Sequence, residues 1–198
     1  MEDYVFGVHF ALSDDDRDQL FDVIEAKGDV LAFATGLINR WDEEWLCHTS
    51  TEWDILHRCL TNGYLTEESS TPLHWCMLGG KQIPNRDNEI VTFVNNEDVK
   101  AVAAALDEID QSWLRQKYDA LDRKDMGCWA DAEEEFNGIV WDEFIKLQAF
   151  FHKVAEADRA VLFTVDCGYS KPGWRLNTKT LLGLAALAVV VYFVTRVL

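Results

Sequence analysis

The chain has 198 residues with 35 acidic and 18 basic side chains, a net charge of −17, and 48% apolar against 27% charged residues. This length supports one full-sized domain with its own core rather than two, and a surface of this sign repels phosphates, so nucleic acid is not an expected ligand. Five cysteines are scattered, and the opening MEDYVFGVHF lacks the basic start and long apolar run of a secretory signal, so free thiols in a reducing cytosol are expected.

Val5 to Leu12 alternates and is rich in β-formers, which predicts a strand. Ser13, three residues before Asp16, opens a helix whose apolar face is Leu20, Phe21, Val23 and Ile24 and which Gly28 closes. Asp29 to Trp41 reads as a second helix, interrupted by Gly36. In STEWDILHRCLTNG, Trp53, Leu56, His57 and Leu60 recur at i, i+3, i+4 and i+7, the spacing of a helix with one buried face, and Asn62 and Gly63 stop it.

Thr71 and Pro72 open the short helical segment PLHWCMLGG, ended by Gly79 and Gly80. Glu89 to Val94 is a second strand. Asn95 caps a helix with the stripe Val99, Val102, Ala103, Leu106 and Ile109. Ser112 to Leu121 is helical, a loop runs through Met126 to Trp129, and Val140 to Ala157 carries Phe144, Leu147, Phe151 and Val154 at helical spacing. Arg159 to Asp166, with AVLFTV at its centre, is a buried strand. The order implies a helix-rich α/β domain in which a small mixed sheet is covered by many helices.

Several segments resemble the YfbM-like family of small bacterial domains of unknown function. EWDILHRCLTNG is similar to the family's W-x-x-L-H-x-x-L-T-G core, and PLHWCMLGG to its P-L-x-x-A-V-x-G-G. NNEDVKAVAAALDEIDQSWLRQKYD and DEFIKLQAFFHKVAEADRAVLFTV follow in the family's order, and with GVHFALSDDDRDQLF the resemblance covers roughly residues 1 to 167. Asn62 interrupts the L-T-G, and bulky HWCM precedes the Gly pair. The resemblance implies a single three-layer α/β domain and brings no reaction with it.

Chemistry-bearing residues are few. His57 lies on the apolar face of its helix beside Trp53 and matches the family's His, so it is either a general base or a satisfied core histidine. The pairs His57 with Cys59 and His74 with Cys76 put their donors some 200° apart on a helix, which does not chelate one ion, and no metal or cofactor is expected. A nucleophilic Cys76 needs an electropositive setting that the charge balance works against. Gly79-Gly80 lacks the phosphate-loop pattern and reads as a turn. No catalytic constellation emerges; the binding candidates are Trp53, His57, Gly79 and Gly80.

The last residues, LLGLAALAVVVYFVTRVL, stand apart. Thr180 to Leu198 spans about 28 Å as a helix, close to a hydrocarbon core of about 30 Å. Leu181, Leu187, Val191 and Val194 are its membrane-anchor candidates, and Gly183 with Ala185, Ala186 and Ala188 offers a small-residue patch. Lys171, Arg175 and Lys179 precede the run and only Arg196 follows, which predicts a single-pass anchor in a bacterial inner membrane with residues 1–167 cytoplasmic and 168–179 as linker.

These features favour a tail-anchored protein-binding module over an enzyme. Its acidic domain would receive a basic protein partner, for example as an immunity or inhibitor protein. The alternatives are a membrane-tethered, hydrolase-like enzyme using His57, and an adaptor or scaffold of a membrane assembly.

Overall fold

The computed structural model describes residues 6–40, 43–65, 71–85, 89–122 and 132–166, all within the unit Met1–Cys167. The loop Met126–Trp129, the linker 168–179 and the anchor candidates Leu181, Leu187, Val191 and Val194 lie outside the described residues. Among the described residues no helix is long and apolar enough to cross a membrane.

Strand β1 (Phe6–Leu12) leads into α1 (Asp14–Glu25), whose start is a capping box: the Ser13 hydroxyl accepts from the Asp16 amide while the Asp16 carboxylate reaches back to Ser13. At its end the left-handed residue is Lys27 rather than Gly28, and the Gly28 amide donates to the Val23 carbonyl at 2.8 Å. Helix α2 (Val30–Asn39), capped by Asp29, runs through Gly36 without a break. A 3-10 turn (Glu43–Trp45) precedes β2 (Leu46–Ser50), and α3 (Trp53–Leu60) follows, stopped at Gly63.

A second 3-10 turn (Pro72–Cys76) leads to the two-residue β3 (Lys81–Gln82) and to β4 (Val91–Val94). Asn95 caps α4 (Asn96–Asp107), Asp110 caps α5 (Gln111–Asp119), and both side chains accept backbone amides. The helix expected from Val140 begins earlier. Ala132–Glu135 (α6) passes through a π-helical turn, Phe136–Val140, into α7 (Trp141–Glu156). Strand β5 (Ala160–Asp166) ends the described chain.

The five strands lie in the order β2-β1-β5-β4-β3, and every neighbouring pair is antiparallel. The expectation of a mixed sheet is therefore corrected. β2 begins at Leu46 opposite Phe10, near the end where β1 stops, and β5 begins at Ala160 opposite Leu12. The chain re-enters the sheet at the end it left, so no parallel crossover arises.

Period-two alternation splits the sheet's side chains between two cores. Val8, Phe10, Leu12, Val91, Phe93 and Leu162 pack on Leu20 of α1 and on Val30, Ala34 and Leu37 of α2. Ala11, Val94, Val161, Phe163 and Val165 face the larger core, built from α3, α4, α5 and α7. Helices thus cover both faces of a small antiparallel sheet.

Candidate functional site

The larger core holds the residues that the sequence singles out. Helix α3 sits so close to β1 that a Cβ on Gly7 would lie 2.7 Å from the Cβ of Trp53. Trp53 is buried with its ring 6.1 Å from that of Phe163. One turn later His57 is fully buried, and its ring centroid lies 5.0 Å from that of His74 on the second 3-10 turn.

His74 is held from behind by glycine. The Gly79 amide donates to the His74 carbonyl at 3.0 Å, and a Cβ at Gly79 would fall 2.1 Å from the His74 Nδ1. A Cβ at Gly80 would fall 2.7 Å from the Phe93 carbonyl oxygen. Of the four binding candidates, His57 and Gly79 meet at His74, whereas Trp53 packs against Gly7 and Phe163, and Gly80 against Phe93. Trp53 and His57 are buried core residues, and the two glycines are half-buried.

His9 is not among the residues that the sequence singles out. It sits mid-strand in β1 on the face it shares with Gly7 and Ala11, completely buried. Its ring lies 4.5 Å from Phe163 and 5.9 Å from both Phe150 and Phe151. Nε2 donates to the Cys76 carbonyl at 2.8 Å, and the Thr92 hydroxyl donates to the neighbouring Met77 carbonyl. Side chains from two strands thus satisfy the carbonyls that the short 3-10 turn leaves without helical partners. A lone polar residue in an otherwise apolar strand is the one local sign of His9, and it does not name the turn that the ring fastens.

Burial sets the protonation of this cluster. It pushes His9 down to about 4, against the opposing pull of the Cys76 and Cys47 backbone. Burial also raises the Cys47 thiol to about 12, with Glu143 adding to the rise, and the Cys59 thiol to about 12, while the Cys76 thiol is pushed up further. At neutral pH this leaves a neutral imidazole at His9 and protonated thiols at Cys47, Cys59 and Cys76, far from the thiolate that nucleophilic or metal chemistry requires. Among the described residues no group of three or more metal-donor side chains comes together.

A family model described as a domain of unknown function (DUF1877) matches residues 5–164. The chain belongs to the DUF1877 family. A solved structure, that of YfbM from Escherichia coli, itself a protein of unknown function, matches this DUF1877 domain with 18% identity and a TM-score of 0.60, covering 81% of this chain and 99% of that chain. At that identity the likeness is one of fold. No curated protein matches the chain. The YfbM-like resemblance of the sequence is thereby shown for the domain, and the family match ends before the apolar tail.

Proposed function

We propose that this DUF1877 domain is a protein-binding module whose carboxylate-rich exterior receives a basic partner, and that its apolar tail holds it at the cytoplasmic face of a bacterial inner membrane. The supporting observation is the separation of chemistry from surface. His9, His57 and His74 are fully buried and Cys47, Cys59 and Cys76 are buried, whereas α1 alone exposes Asp14, Asp15, Asp18, Asp22 and Glu25 around Arg17. Such a surface raises the encounter rate with a cationic partner and makes it salt-dependent.

An immunity or inhibitor role is the specific form we favour, because an anchor concentrates the domain where a membrane-directed toxin acts. A scaffold of a membrane assembly differs from it by a stable stoichiometric complex. The enzyme reading that uses His57 draws no support from a ring fully buried under α3.

The test uses the full chain. Membranes from expressing cells are washed with alkaline carbonate, and the detergent-solubilised chain is used to capture partners at low and high salt. The chain should stay with the membrane, and the capture should weaken steeply with salt. Release by carbonate overturns the anchor; no captured partner, or capture insensitive to salt, overturns the acidic-surface reading.

A further inference from the structure

Three strand ends meet at one side of the sheet, where β1 stops at Leu12, β2 starts at Leu46 and β5 starts at Ala160. Beside them stands the half-buried indole of Trp45, and two cations lie over it. The Arg159 Cζ is 3.7 Å from the ring centroid and the Lys153 Nζ is 4.4 Å from it. A third cation, Arg40 at the end of α2, faces the same cleft. In a chain with 35 acidic and 18 basic residues, this gathering runs against the overall charge.

Two of the three cations are already matched. Lys153 pairs with the Glu44 carboxylate at 2.8 Å, and Arg40 pairs with Asp16, whose carboxylate also takes the Ser13 hydroxyl. Arg159 is not. Its Nη1 makes one long contact, 3.5 Å, to the Ala11 carbonyl, and among the described residues no carboxylate pairs with it. The guanidinium lies over the Trp45 ring, and its planar fork of N–H donors suits a two-oxygen acceptor.

The cleft in front of it is small, with Phe10, Leu37 and Leu46 among its apolar lining. We propose that this cleft binds a carboxylate carried on a short aliphatic group, with Arg159 as the two-pronged donor, Arg40 as flanking cation and the aliphatic part against Leu37 and Leu46. Asp16, in the same cleft, is occupied by Arg40 and Ser13 and directs the incoming anion to the Arg159 side. The chemistry is shared by the C-terminus of a peptide ending in an aliphatic residue and by a free short-chain acid.

The test follows the Trp indole and Arg Nε–H resonances of the isotope-labelled full chain in three titrations: N-acetyl-Ala-Leu as free acid, the same dipeptide as its amide, and isovalerate. The free-acid dipeptide should shift the Trp45 and Arg159 signals saturably while the amide leaves them unmoved, and Arg159→Gln should weaken binding at least tenfold. Saturable binding of isovalerate assigns the site to free acids as well, and its silence assigns it to peptide termini. Arg159→Lys keeps a cation over Trp45 without the fork and should weaken binding several-fold, which guards against a folding defect in the Gln variant. Equal response to acid and amide, no saturation by either acid, or an unchanged affinity in both folded variants overturns the proposal.

Discussion

His9 and Cys76 are 67 positions apart in sequence, yet the His9 Nε2–H donates to the Cys76 carbonyl at 2.8 Å. This bond fastens the second 3-10 turn to β1, and it needs a neutral ring. The folded His9 titrates at about 4 and the unfolded residue near 6.5. As pH falls through 6.5 the unfolded chain takes the proton first. The stability held by the neutral ring is therefore complete above pH 6.5, declines towards pH 4, and falls no further once the folded state protonates.

A shift from 6.5 to about 4, at about 1.4 kcal/mol per pH unit, corresponds to about 3 kcal/mol. His9→Gln keeps a donor for the carbonyl and removes the titration. Urea unfolding of both proteins between pH 4 and 7 should give a stability difference whose slope against pH corresponds to up to one proton in this window. Parallel curves would mean that His9 does not carry the acid sensitivity.

The glycines divide by what faces them. Gly79→Ala drives a Cβ onto the His74 Nδ1 and also to 2.9 Å from the His74 carbonyl carbon, and Gly80→Ala meets the Phe93 carbonyl oxygen. Backbone yields little, so each change should lower stability by roughly 1–3 kcal/mol through overpacking. Gly36 lies inside α2 with nothing within 4 Å of its missing Cβ, so Gly36→Ala should raise stability by about 0.5–1 kcal/mol. Opposite signs in the urea midpoints check the contrast, and a stable Gly79→Ala would show that His74 can move aside.

Elements with strong local signals were legible in the sequence. The capping box at Ser13, the Asn95 cap and the stripe of α4 needed only spacing, and the apolar run of β5 placed its central strand. β2 escaped because LCHTS has buried positions at Cys47 and Thr49, neither of them a strongly apolar marker. β3 is two residues long and depends on β4 to exist. The direction of the sheet came from pairings such as Phe6 with Asp166, 160 positions apart in sequence, which no local pattern encodes. His57 was found because its helix face is periodic; His9 was hidden because a single polar residue in a strand says nothing of the 3-10 turn it fastens.

His57→Ala separates a core histidine from a functional one. The ring is fully buried beside His74, so its removal should leave a cavity and lower stability by roughly 2–4 kcal/mol. Thermal and urea unfolding of the full chain measure the loss. An unchanged melting temperature would mean that the ring contributes nothing to the core, and the reading of His57 as a working residue would then regain its ground.

The thiols provide the last check on whether this core opens. Cys47, Cys59 and Cys76 are buried, and burial raises all three well above the usual thiol range, so both access and thiolate fraction oppose reaction. Alkylation with iodoacetamide at neutral pH, read residue by residue from digested peptides, should leave these three unmodified in the native chain and label them in denaturant. Cys76 adds a direction. Its carbonyl holds the His9 proton, so His9→Ala frees the 3-10 turn at one end and should speed native-state labelling at Cys76 more than at Cys59 on α3. Equal acceleration at both would mean that the core opens as one unit and that the His9 bond holds no separate segment in place.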